Sequence, residues 1–142
     1  MGYFNQYVRA ESLEEAYGLY QKKNNFVLGG MLWLKMRKRP FGTAIDLSDL
    51  GLDQIEEDEK EFRIGAYVSL RELETNEALN TYTKGAFAES VKHIVGVQFR
   101  NVATVGGSLW GRYGFSDVMT IFRAMGAKVQ LHHAGILDLD EF

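Results

Sequence analysis

Apolar and polar positions alternate at the start of the chain and then shift to a helical spacing. Aromatic and polar side chains alternate from Tyr3 to Arg9, which is typical of a short strand. Ser12 and Glu15 have the spacing of a capping box, in which a hydroxyl and a carboxylate each bind a free amide at a helix start. The apolar positions that follow at helical spacing are expected to form a buried stripe: Leu13, Ala16, Tyr17 and Tyr20.

Short apolar runs continue this pattern to about residue 50. The run 26–28 predicts a buried strand that stops at a pair of glycines, and 31–39 predicts a second helix that ends at Pro40. Residues 43–47 predict a third strand. The resulting β-α-β-α-β order favours a parallel sheet, because crossover connections join parallel strands.

The pattern changes after Asp49. Alternating runs over 52–56 and 61–66 flank the acidic residues 57–60, and they predict a hairpin whose turn is solvated. Ser69 and Glu72 form a second capping box. The remaining predicted elements are a helix over 83–94 with Phe87, Val91 and Ile94 on one face, a non-periodic glycine-rich segment over 95–114, a helix from Ser116 or Asp117 to Met125, and final strands over 127–132 and 136–139.

These elements predict an α+β fold with two lobes. The N-terminal lobe, residues 1–50, is the small β-α-β-α-β unit. The second lobe, residues 51–142, is expected to combine helices with a mainly antiparallel sheet. A chain of 142 residues is long enough to bury a core of its own.

Composition removes several classes of function. The chain has no Cys, so it offers no disulfide, no cysteine-held metal or iron–sulfur cluster and no thiol nucleophile. A formal net charge of −3 argues against general binding to nucleic acid or to an anionic membrane. The longest apolar stretch, 26–34, is too short to span a bilayer, and the N-terminus lacks the pattern of a secretory signal. We therefore expect a cytoplasmic protein without membrane or nucleic-acid partners.

Two glycine pairs are the clearest candidates for chemistry. Gly29-Gly30 lies between a predicted strand and a predicted helix, and Gly106-Gly107 leads from an extended run into a loop. Glycine allows a tight turn and lets an anion approach backbone amides. One such pair is more typical of a plain turn, whereas two pairs in one small domain favour a diphosphate site. Neither pair fits a Rossmann fingerprint or a Walker A loop.

The segments around these glycines resemble a known flavoprotein family. The similar segments are 27–36, 45–47, 62–73 and 97–127, and the most specific block runs from Arg100-Asn101 through Ala103 to Gly107 and on to Asp117, Ala124 and Gly126-Ala127. Together they resemble the flavin-binding domain of molybdenum hydroxylases. That family includes xanthine dehydrogenase, carbon monoxide dehydrogenase medium subunits and related aromatic hydroxylases.

The resemblance implies FAD held between the two lobes. Backbone amides of Leu28 to Trp33 would wrap the pyrophosphate, and Thr104 to Ser108 would close over it, with the Thr104 hydroxyl as a further donor. Asp117 would accept hydrogen bonds from ribitol or ribose hydroxyls, and Ile94 would give an apolar contact. The implied cofactor-binding residues are Leu28, Gly29, Gly30, Met31, Leu32, Trp33, Ile94, Thr104, Val105, Gly106, Gly107, Ser108 and Asp117, with no catalytic and no metal-binding residue.

The sequence departs from the family pattern at three places. Met31 and Leu32 follow the first glycines where the family usually has Thr-Asp, so side-chain hydrogen bonds are lost there while the backbone amides remain. Ser108 stands where the family usually has Asn. Family members continue past the segment that matches 136–142. The resemblance therefore implies either a chain shortened at its C-terminus, or flavin binding that is weak or relies on another subunit.

Charged and histidine residues have ordinary structural explanations beside functional ones. His132 and His133 are adjacent on a predicted strand, so we expect them to face opposite ways and not to bind a metal. His93 is expected near a helix C-terminus, where a cation suits the helix dipole. The basic residues within 35–39 are interpreted as a solvated face, with a docking surface or compensation of diphosphate charge as the alternative. Arg112 either pairs with a phosphate or is solvated.

The two tryptophans each lie beside a glycine pair. Trp33 follows the first pair and Trp110 follows the second. Stacking on an adenine or flavin ring is one role for each, and burial in the core is the other.

We therefore expect an FAD-binding, electron-transferring subunit or domain of a multisubunit molybdenum-containing oxidoreductase of the xanthine dehydrogenase type, which does not act alone. The resemblance implies that partner subunits carry molybdopterin and the iron–sulfur clusters, and the absence of Cys here agrees with this. NAD or another compound would be the electron acceptor. The alternative is a non-catalytic interaction or assembly module that has kept the fold and lost productive flavin binding.

Overall fold

The computed structural model describes residues 3–142, and Met1 and Gly2 at the start of the predicted first lobe lie outside the described residues. Helices and strands are mixed along the chain, and the strands form small separate sheets. This confirms the predicted α+β class. No helix within residues 3–142 is long and apolar enough to cross a bilayer. The strands are β1 (Phe4–Arg9), β2 (Phe26–Val27), β3 (Phe41–Asp46), β4 (Ile55–Glu57), β5 (Phe62–Ile64), β6 (Lys128–Leu131) and β7 (Gly135–Asp138). The helices are α1 (Leu13–Tyr20), α2 (Leu70–Thr75), α3 (Glu77–Tyr82), α4 (Ala86–Val91), α5 (Val97–Val102), α6 (Val105–Trp110) and α7 (Asp117–Ala124).

The first three strands form the predicted parallel sheet, in the order β1-β3-β2. The middle strand β3 is the most buried, because it pairs on both sides, and its residues Phe41, Ala44 and Ile45 are fully shielded from solvent. β2 pairs with it through Phe26 and Val27. The carboxyl ends of β2 and β3 therefore lie side by side at one edge of the sheet.

Helix α1 begins where the sequence predicts, but its buried stripe differs from the prediction. The Ser12 hydroxyl accepts a hydrogen bond from the Glu15 amide at 3.1 Å. Of the predicted stripe only Ala16 is buried, and Leu13, Tyr17 and Tyr20 are exposed. The prediction is wrong because the helix packs on the narrow three-stranded sheet through the small Ala16 and through Leu19, which leaves the larger side chains outside the contact.

The predicted helix over 31–39 is not formed. A single 3₁₀ turn, Leu34–Met36, is all the helical structure in this stretch, and Arg37 after it is extended with ψ 137°. The α-helix cannot begin at Met31, because this residue has a φ of 59° in the left-handed region. The second crossover of the parallel sheet is thus an open loop that leaves its amides accessible.

The predicted hairpin and the two predicted final strands form separate antiparallel pairs. β4 pairs with β5 across the acidic turn, with Glu56 opposite Arg63. β6 pairs with β7, with Val129 opposite Leu137. The tight turn between β6 and β7 includes His133, whose φ is 68°.

The expectation that His132 and His133 face opposite ways is wrong. β6 ends at Leu131, so strand alternation stops before the histidines. The left-handed backbone at His133 returns its ring to the same side as that of His132. Both Nε2 atoms lie 2.9 Å from Oε2 of Glu14 on α1.

The capping box at Ser69 is complete, but the helices after it are shorter and more numerous than predicted. The Ser69 hydroxyl and the Glu72 carboxylate each bind the other residue's amide, at 3.1 and 2.9 Å. Helix α3, capped by Asn76, is an element that the sequence reading missed. The helix predicted over 83–94 shrinks to α4, because Lys84 and Gly85 have positive φ angles of 53° and 81°.

The glycine-rich segment 95–114 holds two short helices, which corrects the prediction of a non-periodic loop. α5 ends at Val102 and α6 begins at Val105, with the Thr104 side chain capping α6. Gly106 and Gly107 therefore lie in the first turn of a helix. α7 begins as predicted, since the Ser116 hydroxyl accepts from the Met119 amide at 3.1 Å.

The largest hydrophobic core lies within the second half of the chain. It is built from buried residues of α2, α3, α4, α6 and α7 together with Val68 and Leu139. Two smaller clusters pack at the parallel sheet, one around Ile45 and one around Phe41. The lobe boundary near residue 50 stays a prediction.

Candidate functional site

A cleft of ≈ 780 Å³ is lined by the first glycine pair and by Gly107 of the second. This volume falls in the range of roughly 300–1,000 Å³ that is usual for small-molecule and cofactor sites. Most of the predicted site residues line the cleft: Gly29, Gly30, Met31, Leu32, Trp33, Ile94, Thr104, Gly107, Ser108 and Asp117. Leu28, Val105 and Gly106, which were also predicted, do not line it.

The first loop begins at a fixed point and then leaves its amides unpaired. The Leu28 amide donates a hydrogen bond to the carbonyl oxygen of Ile45, near the carboxyl end of β3, at 2.8 Å. Among the described residues, none accepts a hydrogen bond from the amides of 29–33. The loop bends back at Met31, whose carbonyl accepts from the Lys35 amide at 3.0 Å. A row of unpaired donors therefore follows the sheet edge, which is a suitable environment for an anion.

The glycines of the first loop allow its backbone to touch the second segment. A Cβ added to Gly30 would lie 2.2 Å from the carbonyl oxygen of Val102, which no packed structure tolerates. A Cβ added to Gly29 would lie 2.9 Å from the Thr104 hydroxyl oxygen. Glycine is thus required at position 30 for the approach of the two backbones, a reason that the sequence did not show.

The amides of residues 105–108 in the second segment donate to other protein atoms. The Val105 amide donates to Val68 at 2.9 Å, and the Gly106 amide to Ala66 at 2.8 Å. The Gly107 amide donates to the Thr104 hydroxyl oxygen at 3.1 Å. The Thr104 hydroxyl keeps its own proton for a ligand, since its oxygen is the acceptor in that bond. The hydroxyls of Thr104 and Ser108 are donors that this segment can offer to the cleft.

The three predicted residues that miss the cleft have packing roles. Leu28 and Val105 are buried in the two cores on either side. A Cβ added to Gly106 would lie 2.8 Å from the carbonyl oxygen of Ala66, so Gly106 serves the close contact between α6 and the chain before α2.

The two apolar residues after the first glycines anchor the loop. Met31 packs against the cluster around Phe41 on the sheet, and Leu32 packs against the large core of the second half. Both side chains are half-buried. Apolar contacts therefore fix the loop at the point where the resembled family has polar side chains.

Exposed aromatic rings form one wall of the cleft. Trp33 contacts Tyr113 with ring centroids 5.3 Å apart, and Tyr113 stacks on Phe115 at 5.2 Å and 16°. Trp33 is 56% exposed and Trp110 is 57% exposed, so neither is a core residue. The sequence reading missed Tyr113 and Phe115 as site residues, and their spacing of two in a glycine-rich segment was the available signal.

Two charged side chains, Asp117 and Arg37, also line the cleft. Asp117 is exposed at the start of α7 and accepts no hydrogen bond within residues 3–142, because Ser116 supplies the cap. Of the basic residues in 35–39, only Arg37 lines the cleft, and its guanidinium lies 4.4 Å from the ring centroid of Phe26. Arg112 turns elsewhere and donates to the backbone oxygen of Phe142.

A buried ion pair holds the wall that carries Ile94. The Arg100 guanidinium donates to the Glu74 carboxylate at 3.0 Å and to the Ile94 carbonyl at 3.0 Å. Arg71 donates to the same carboxylate at 2.8 Å. The hydrogen bonds from Arg71 and Arg100 lower the pKa of Glu74 below its usual value, against the opposing effect of its burial. This pair positions the start of α5, which leads directly to Thr104.

Comparison with known proteins identifies the family of this chain. Residues 3–141 match the family described as the FAD binding domain in molybdopterin dehydrogenase. The chain belongs to this family. The resemblance read from the sequence is therefore confirmed.

Relatives of this FAD-binding-domain chain match it over nearly its whole length. "Uncharacterized protein YgfM" of Escherichia coli K12 is 27% identical, over 96% of this chain and 53% of that protein. Quinoline 2-oxidoreductase from Pseudomonas putida 86 superposes with a TM-score of 0.83 at 19% identity, covering 98% of this chain and 51% of that one. A carbon monoxide dehydrogenase from Hydrogenophaga pseudoflava that lacks the Mo-pyranopterin moiety of its molybdenum cofactor gives 0.82 at 25% identity, covering 96% and 51%. The chain thus spans about half the length of these relatives.

Proposed function

We propose that this chain binds FAD in the cleft and serves as the electron-transferring flavoprotein component of a multisubunit molybdenum-containing oxidoreductase of the xanthine dehydrogenase type. The observation that carries the proposal is the row of unpaired amides over 29–33, which lies beside the hydroxyl of Thr104 in the cleft. Membership of the FAD-binding family supports FAD as the ligand. Bound FAD supplies the electron chemistry, while the protein supplies position and electrostatics.

The diphosphate fits the glycine end of the cleft. Unpaired amides of the first loop can donate to its oxygens from one side, and the Thr104 hydroxyl can donate from the other. Gly107 is exposed beside Thr104 and presents no side chain to the anion. The guanidinium of Arg37, which also lines the cleft, adds a positive charge. These groups together offer the hydrogen-bond donors that a buried anion requires.

The rest of the cofactor has matching surfaces along the cleft. The exposed rings of Trp33 and Tyr113 present flat apolar faces on which an aromatic ring can stack. The Asp117 carboxylate can accept hydrogen bonds from the hydroxyls of a ribose or ribitol chain. Ile94 offers an apolar contact on the wall that Arg100 holds in place.

The partners in the proposal are subunits that carry molybdopterin and iron–sulfur clusters. Two of the structural relatives are a quinoline 2-oxidoreductase and a carbon monoxide dehydrogenase that lacks the Mo-pyranopterin moiety of its molybdenum cofactor. The chain has no Cys with which to hold an iron–sulfur cluster itself. NAD as the electron acceptor has no support among these relatives and is not part of the proposal. Nor does any of these observations favour the alternative of a non-catalytic assembly module.

Titration of the purified chain with FAD and with FMN tests the proposal. FMN lacks the adenosine monophosphate half, so it cannot fill the diphosphate end and the aromatic wall at once. We expect quenching of flavin fluorescence to saturate with FAD and to show at least about tenfold weaker binding of FMN, which is a loss of roughly 1.4 kcal/mol. Equal affinity for the two flavins, or no binding of FAD, contradicts the proposal.

A further inference from the structure

Three metal-ligating side chains meet at one point on the surface, away from the cleft. Glu14 comes from α1, and His132 and His133 come from the turn after β6. None of them lines the cleft. Their ligand atoms all lie within 4.8 Å of one another. We propose that Glu14, His132 and His133 bind a divalent transition-metal ion, and that Zn²⁺ fits them best.

The backbone explains how two adjacent histidines reach the same point. His133 has a φ of 68°, so the chain reverses there and the two rings lie on one side. Their centroids are 4.4 Å apart and their planes are inclined at 75°, which directs both Nε2 atoms to one Glu14 oxygen. Tyr17, one turn after Glu14, packs its ring 4.3 Å from that of His133 and 5.9 Å from that of His132. This contact restrains the imidazoles.

The donor set suits a borderline metal ion. Two imidazole nitrogens and one carboxylate oxygen are a frequent zinc set, and hard ions such as Mg²⁺ prefer oxygen alone. Each Nε2 lies 2.9 Å from Glu14 Oε2. Tetrahedral ligands about 2.0–2.2 Å from Zn²⁺ are separated by about 3.4 Å, so the ligand atoms need to move apart by about 0.5 Å. The side chains of Glu14 and His133 are 68% and 50% exposed, so they can make this movement without shifting the backbone.

An ion at this position links parts of the chain that are far apart in sequence. Glu14 and His132 are separated by 118 positions. The ion would tie α1, beside the parallel sheet, to the β6–β7 hairpin beside the large core. Binding to the folded state alone stabilises that state. Three protein ligands leave the fourth tetrahedral position to water.

Calorimetric titration of the chelator-treated chain with Zn²⁺ tests this inference. The ligand variants are Glu14→Gln and His132→Gln. The matched control is His93→Gln, because His93 is the one histidine of the chain outside the cluster and is exposed. We expect one Zn²⁺ per chain in the wild type and in the control, at least about tenfold weaker binding in each ligand variant, and no binding of Mg²⁺.

Thermal unfolding with and without Zn²⁺ gives a second measurement. We expect Zn²⁺ to raise the melting temperature of the wild type and of His93→Gln, and to leave that of Glu14→Gln unchanged. Comparison of all variants in chelator shows that each is folded. No Zn²⁺ binding by the wild type, or wild-type affinity in both ligand variants, overturns the inference and leaves a hydrogen-bonded cluster only.

Discussion

The hydroxyl of Tyr67 donates a hydrogen bond to the carbonyl of Leu28, the residue immediately before Gly29-Gly30. The Tyr67 hydroxyl oxygen also accepts a hydrogen bond from the amide of Leu47 at 3.0 Å. The Tyr67 side chain, which is distant in sequence from both strands, therefore joins the carboxyl ends of β2 and β3 and fixes the start of the first loop. Burial raises the pKa of this hydroxyl above its usual value, so it keeps the proton that it donates.

Replacing Tyr67 with Phe removes this link and keeps the ring. We expect a loss of about 1–3 kcal/mol in the free energy of unfolding, because a buried carbonyl and a buried amide lose their partner. FAD affinity should fall with it, since the amides of the first loop are no longer held. Urea unfolding measures the first effect and flavin fluorescence the second. Tyr82→Phe is the control, because Tyr82 is 72% exposed, and it should change neither quantity.

Adding one methyl group at Gly30 tests the contact between the two segments. The new Cβ would lie 2.2 Å from the Val102 carbonyl oxygen, so we expect Gly30→Ala to lower the free energy of unfolding by about 1–3 kcal/mol and to weaken FAD binding. A Cβ added to Gly114 meets nothing within 4 Å, so Gly114→Ala is the matched control. Unchanged denaturant midpoints for both variants would show that the segments are not packed as described.

The Glu74 ion pair predicts a dependence of stability on pH. Because the pKa of Glu74 is lowered in the folded state, chiefly by Arg71 and then by Arg100, its contribution is complete above the unfolded-state pKa. That contribution is lost as the pH falls through the folded-state pKa. We expect Glu74→Gln to be less stable than the wild type by about 2 kcal/mol at neutral pH, with the difference shrinking toward about pH 3.

The control for this experiment is Glu59→Gln in the solvated turn between β4 and β5. Glu59 accepts no hydrogen bond from the part of the chain that the structure describes. Denaturant unfolding over the acid range should give it the wild-type profile. A difference between Glu74→Gln and the wild type that grows as the pH falls would reverse the sign and refute the ion-pair explanation.

The parallel sheet of the first half and the helix caps follow from local rules and were predictable. The alternating start, the capping box at Ser69 and the cap at Ser116 each gave the right element, because hydroxyl caps and period-two patterns act over a few residues. Gly29, Gly30 and Gly107 line one cleft and Gly106 does not, and the FAD-binding role of these residues stays a prediction.

The misses arise where tertiary contacts or backbone angles decide. The helix predicted over 31–39 is wrong because Met31 has a left-handed backbone conformation, which could not be predicted from its residue type. Gly30 serves a contact with Val102, far away in sequence. The histidine turn and the role of Tyr67 depend on which distant elements meet, so no local pattern carries them.

The measurement closest to the central claim is FAD affinity at position 107. Gly107 is exposed in the cleft, and a Cβ there would lie 3.0 Å from the Thr104 hydroxyl oxygen. Gly107→Ala adds only that contact, while Gly107→Asp also adds an anion beside the proposed diphosphate. We expect fluorescence titration to show that the Asp variant binds FAD at least about a hundredfold more weakly than the Ala variant, because close like charges cost several kcal/mol. Equal FAD affinity in the two variants would contradict the placement of FAD in this cleft.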